Sequence, residues 1–96
     1  MKLVSVKPAT NGKNKYTATF LKDNGRTKTT NFGAKGADDY TLGASQEQRT
    51  NYKDRHAKDL ETKDPTRAGH LSYYILWGDS TSLRDNVRSY KDRFNL

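Results

Sequence analysis

NKYTATFLKDNGRTKTTNF, residues 14–32, has the alternation of a β-hairpin. Tyr16, Ala18 and Phe20 alternate with Thr17, Thr19 and Leu21 at period two. Asp23-Asn24-Gly25 is a turn signal, and Arg26 to Phe32 form a threonine-rich second arm. A three-residue loop with Gly25 left-handed pairs Lys22 with Arg26. Counting back from that pair, Tyr16 falls opposite Phe32 and Ala18 opposite Thr30. Tyr16, Ala18, Phe20 and Phe32 then share one face. A two-residue Asn24-Gly25 loop would slip the register by one and divide these aromatics between the faces. The first register is expected, with Tyr16 and Phe20 in the core rather than open to bases.

Outward from the hairpin, Leu3, Val4 and Val6 mark another strand, closed by Pro8 and the Asn11-Gly12 turn. Residues 2–33 therefore read as a three-stranded antiparallel meander. Gly33 to Gly43 is a connector, and beyond it the period changes from two to 3.6. Ser45 and Gln48 form a capping box for a first helix that runs to about Glu61. Asp64 as N-cap and Pro65 at the first position open a second helix, which Gly78 stops. A third helix starts at Thr81 or Ser82 and carries Leu83, Val87, Tyr90 and Phe94 at 4-3-4 spacing. The fold class is α+β, in one domain over residues 1–96, with a β segment over 1–35 and a helical segment over 44–96. Leu71, Ile75, Leu83, Val87, Tyr90 and Phe94 are expected to be mostly buried together. Trp77 is expected to anchor the core.

The charge is distributed unevenly. Lys2, Lys7, Lys13, Lys15, Lys22, Arg26, Lys28 and Lys35 are opposed only by Asp23 in the first 35 residues. The remaining residues carry ten basic and ten acidic side chains, so the formal net charge of +7 belongs to the strands. A single-sign block creates a field and recruits an anionic partner. Lys13, Lys15, Lys22, Arg26, Lys28 and Lys35 are the candidate binding residues, and the first five are expected to be mostly exposed on one positive surface. Lysines on edge strands also block aggregation, but that role does not require the near-absence of acids.

No catalytic constellation emerges. There is no cysteine, which removes disulfides, thiolate metal sites and cysteine nucleophiles. His56 and His70 lack metal-ligand spacing, and His56 is expected to line a helix interface. Asp38-Asp39 reads as a solvated pair in a glycine-rich turn. Gly33-Ala34-Lys35-Gly36 lacks the spacing of a phosphate loop. The expectation is a non-enzymatic protein without cofactor or metal. It has no apolar run long enough to cross a bilayer, and is soluble and intracellular or packaged in a particle. Its oligomeric state is not legible.

FGAKGADDYT (residues 32–41), RTNYKDRH (49–56), PTRAGHLSYYILWG (65–78), TSL (81–83) and YKDRF (90–94) together resemble a family of small uncharacterised proteins. These are encoded by large nucleocytoplasmic DNA viruses of the mimivirus, chlorovirus and iridovirus kinds. The chain departs from that pattern after the first-helix histidine, at Ala57-Lys58-Asp59. The resemblance implies no activity and no catalytic residue. It implies a virion setting, with host cytoplasm during assembly. On it rests the expectation of a minor capsid or capsid-associated structural protein whose basic strands bind an acidic capsid surface. The alternative partner is DNA or RNA, bound independently of sequence during genome packaging.

Overall fold

The computed structural model describes residues 1–96. Strands β1 (Lys2–Pro8), β2 (Asn14–Leu21) and β3 (Thr27–Ala34) form one antiparallel sheet in the order β1-β2-β3. Helices α1 (Gln46–His56), α2 (Ala68–Leu71) and α3 (Leu83–Phe94) follow. The α+β reading is correct in class and order.

The hairpin register is the expected one. Tyr16 pairs with Phe32 and Ala18 with Thr30. At the turn the Lys22 N–H donates to Arg26 O at 2.8 Å, and the Gly25 N–H donates to Lys22 O at 3.0 Å. Gly25 has φ +84°, a conformation that glycine reaches without Cβ strain. On β1 the pairing shifts between Leu3, opposite Phe20, and Ser5, opposite Thr19. Val4 is the extra residue, 53% exposed, and the resulting bulge roughens an edge strand.

The sheet buries one face under the helices. Leu3, Ala18, Phe20 and Phe32 meet Leu71, Ile75, Leu76, Trp77 and Tyr90 in a single core. Trp77 is a core anchor, as expected. Leu71, Ile75 and Tyr90 are buried, but Leu83, Val87 and Phe94 are only half-buried at its margin. The reason is positional: α3 packs chiefly on the residues after α2, and the sheet is reached mainly through α2 itself. The stripe on α3 therefore covers another helix and not the floor of the core.

Two helix boundaries differ from expectation. α1 has its capping box, with the Gln48 N–H on Ser45 Oγ at 3.1 Å and the Ser45 N–H on Gln48 Oε1 at 2.8 Å. It ends at His56 and tightens into a 3₁₀ turn over Ala57–Thr62. No residue of α1 or of that turn is buried, so packing does not enforce a longer α-helix. Asp64 does not cap a helix at Pro65. Its Oδ1 accepts the Thr66 N–H at 2.9 Å and the Thr66 hydroxyl at 2.6 Å. That local turn competes with helix and delays α2 to Ala68. After Leu71 the helix widens into a π turn over Ser72–Leu76, closed by Trp77 N–H to Ser72 O at 3.1 Å. The widening explains why Ile75, Leu76, Trp77 and Gly78 are all buried, which a regular helical period does not allow for a helix lying on one surface. Gly78 has no room for a side chain, since a Cβ would stand 2.2 Å from Tyr74 O.

Candidate anion-binding surface

The sheet face turned from the helices is polar and open. Its pairing places Lys7, Thr17 and Asn31 in one row and Ser5, Thr19 and Thr29 in the next. The Thr17 hydroxyl donates to Asn31 Oδ1 at 2.6 Å, which holds the row in a fixed arrangement. Apart from the exposed Lys7 on the edge strand, the middle of this face carries hydroxyls and amides, and the other cations lie toward the sheet ends.

Lys22 and Arg26 flank the β2–β3 turn. Lys13 and Lys35 meet beyond the other end of the hairpin, where the Lys35 N–H donates to Lys13 O at 3.0 Å. At about 3.3 Å per residue, the intervening strand separates these pairs by roughly 26 Å. The block predicted as one positive surface is thus divided between two ends. Lys13, Arg26 and Lys35 are exposed and Lys22 is half-exposed. None of the four forms an ion pair.

Lys15 and Lys28 correct the expectation of exposure. Lys15 Nζ pairs with Asp39 Oδ2 at 2.6 Å, with side chains only 11% and 1% exposed, and also donates to Ala37 O. Lys28 shares the inward parity of Phe20, its cross-strand partner, and donates to Thr66 Oγ1 at 2.8 Å. There it lines an open groove of about 560 Å³ with Asp59, Asp64 and Arg67. Two acids balance two cations in that groove, so Lys28 adds little to the external field. Asp64 is held below the usual carboxylate range by the Thr66 hydroxyl and then by the Thr66 N–H.

Asp39, read from sequence as a solvated turn acid, is a buried anchor. Its Oδ1 accepts the Thr41 N–H at 2.8 Å, the Thr41 hydroxyl at 2.5 Å and the Leu42 N–H at 3.2 Å. It caps the 3₁₀ turn Tyr40–Leu42 with one oxygen and neutralises Lys15 with the other. The available signal was Asp-x-Thr at a turn, a pattern suited to an Asx cap. Its lysine partner stands 24 residues away, and no local spacing points to it. Asp38 remains exposed.

The aromatics leave no base-stacking platform on the open face. Phe20 and Phe32 are fully buried, and the Tyr16 ring tilts against Phe32 at 5.9 Å between centroids. His56 stacks on Tyr52 at 4.3 Å, and Tyr52 in turn on Trp77 at 4.5 Å. Burial pushes the Tyr52 phenol up. No three His or acidic side chains converge as metal ligands. No helix is long and apolar enough to cross a membrane.

No curated protein and no solved structure matches the chain. A family model matches residues 4–56. That span takes in β2, β3, α1, most of β1 and the cations at both ends of the hairpin. It meets the stretch carrying the viral resemblance only over residues 32–56. With more than half of its length matched, the chain belongs to a family of unknown function, DUF5754.

Proposed function

We propose that this protein is a non-enzymatic binding module that docks an acidic protein surface through the two basic ends of its sheet. The resemblance supplies the setting: a minor capsid or capsid-associated component of a large DNA virus. The observation that carries the docking role is the set of unpaired cations, Lys13 and Lys35 at one end and Lys22 and Arg26 at the other. Charges with internal partners have part of their field cancelled; these four keep theirs for a partner. Burial of Phe20 and Phe32 favours protein over single-stranded nucleic acid, which is gripped by exposed aromatics between cations.

Fluorescence anisotropy with duplex DNA and with polyglutamate tests the reading. Polyglutamate should bind at low salt, and DNA should be lost at about 0.15 M salt. Replacing Lys13 and Lys35 together by Gln, or Lys22 and Arg26 together, should slow association with the acidic polymer. Duplex binding that survives about 0.15 M salt, with a log–log salt slope reduced by about 0.9 per removed phosphate contact, would shift the function to genome packaging. Mass spectrometry of particles stripped in layers tests the setting, and absence from shell fractions would overturn it.

A further inference from the structure

Away from the sheet, α1, the end of the π turn and α3 enclose a cavity of about 40 Å³. Lys53 of α1 and Arg93 of α3 both line it. Lys53 Nζ lies 4.7 Å from the Tyr73 ring centroid, and the Arg93 guanidinium carbon 4.6 Å from that of Tyr74. The two tyrosine rings meet edge-on at 4.9 Å. Adjacent rings thus position two cations by their faces, where flexible side chains would otherwise roam. Neither cation forms an ion pair with any carboxylate of the chain. The one acid lining the cavity, Asp79, is engaged by Arg49 at 2.7 Å. Asn86 also lines the cavity, but its amide is spent on Ile75 O, Ser80 O and the Ser80 N–H. The Ser89 hydroxyl remains, on the same wall as Arg93.

We propose that Lys53 and Arg93, with Ser89, form a binding site for a single phosphoryl group. Two unneutralised cations match a dianion, and ammonium, guanidinium and hydroxyl supply donors in several directions to its oxygens. One water needs roughly 10–15 Å³, so the cavity accepts one small oxyanion and excludes a nucleotide base or sugar. Burial, followed by the nearby guanidinium of Arg49 and only partly opposed by the Asp79 carboxylate, pushes the Lys53 ammonium down from its ordinary value, as an incoming anion would reverse. The site shares no residue with the basic ends of the sheet, so either can fail alone.

The test is an amide NMR titration of the full chain with inorganic phosphate against sodium chloride at matched ionic strength. A second arm uses O-phosphoserine, which carries the same group on a larger molecule. Saturable shifts should appear around Lys53, Gly78 and Ser89 to Arg93, with phosphate and not with chloride. Lys53→Gln and Arg93→Gln should each weaken binding about ten-fold, the scale of a charge-assisted hydrogen bond. Arg93→Lys should lose less, and Lys13→Gln with Lys35→Gln should change nothing. Phosphoserine binding as tightly as phosphate assigns the site to a phosphorylated side chain; exclusion of phosphoserine assigns it to the free ion. Shifts that grow linearly, spread over the sheet or persist in Arg93→Lys and both Gln variants would overturn the site. The sheet amides report that each variant is folded.

Discussion

The sheet and the helical layer are held together by different means. In the sheet, register follows from one glycine turn and a period-two pattern, and backbone ladders do most of the joining. In the helical layer, side chains bond to carbonyls near the end of the π turn and in the turn before α2. Arg49 Nε donates to Gly78 O at 2.9 Å, Asn86 Nδ2 to Ile75 O at 2.8 Å, and the Tyr90 hydroxyl to Pro65 O at 2.5 Å. The contrast separates structural from functional polarity. The carbonyls just named between the helices are satisfied by side chains of the chain itself, whereas the cations at the sheet ends are left for something else. The exceptions on the sheet side are Lys15 and Lys28, and Lys15 gives the largest expected effect.

Lys15→Met should destabilise the fold by about 3–5 kcal/mol, because Asp39 is left as an unpaired buried charge. Lys13→Gln, two residues away but exposed, should stay within about 0.5 kcal/mol. Urea unfolding of the two variants measures the gap, and equal midpoints would make Lys15 one more surface cation. Next in size is the helical layer. Asn86→Leu strips hydrogen bonds from Ile75 O and Ser80 O and should cost about 2–3 kcal/mol. A loss well below 1 kcal/mol would mean that these carbonyls are hydrated, and that the helices are joined by apolar contact alone.

This division also governs what could be read from the sequence. The hairpin was legible to the residue because turn type, alternation and aromatic placement are short-range and agree with one another. The capping box at Ser45 was legible for the same reason, and the start of α3 was legible to within one residue, Thr81 or Ser82. The π turn was not, since it depends on burying Ile75, Leu76 and Trp77 against a sheet that is distant in the chain. Asp64 carried a cap signature, yet the Asx turn to Thr66 used the same side chain differently. Among the candidate site residues, charge alone did not distinguish Lys15 and Lys28 from Lys13 and Lys22. Strand parity explains Lys28, which falls opposite Phe20, but Lys15 depends on where a glycine-rich loop carries Asp39. The paired cations over Tyr73 and Tyr74 come from three separate elements and leave no mark in local spacing.

A smaller effect concerns pH. His70 is 3% exposed and its Nδ1 has no partner. Phe94 meets its ring at 5.9 Å. Burial lowers its pKa, with Asp64 and Asp59 opposing weakly. The folded chain therefore resists protonating His70, while the unfolded chain takes up the proton near pH 6.5. The unfolded state binds more protons as pH falls below that value, so stability declines from about pH 6.5 downward until the folded pKa is reached. One such group gives at most about 1.4 kcal/mol per pH unit. Denaturation from pH 7.5 to 5 should show the decline in the parent and a flatter profile in His70→Phe. An unchanged profile would assign the acid sensitivity to other groups and leave the helical layer without a titrating weak point.

The smallest effect has the opposite sign and bears most directly on the sheet. Lys22 stands across the turn from Arg26, and like charges facing each other on paired strands are destabilising. Lys22→Glu replaces that repulsion by attraction, and should raise stability by about 0.2–1 kcal/mol at low ionic strength. The gain should shrink as salt screens the pair, and should vanish in an Arg26→Gln background. Binding to polyglutamate should move the other way, weakened by the lost cation. A variant that is more stable but binds less tightly would mean that these charges are maintained against the interest of the fold. A variant that loses stability would show that Lys22 contributes packing through its half-buried stem, and would place it with Lys15 and Lys28 among the structural lysines. The docking surface would then reduce to Lys13, Lys35 and Arg26, with one of its two ends nearly bare.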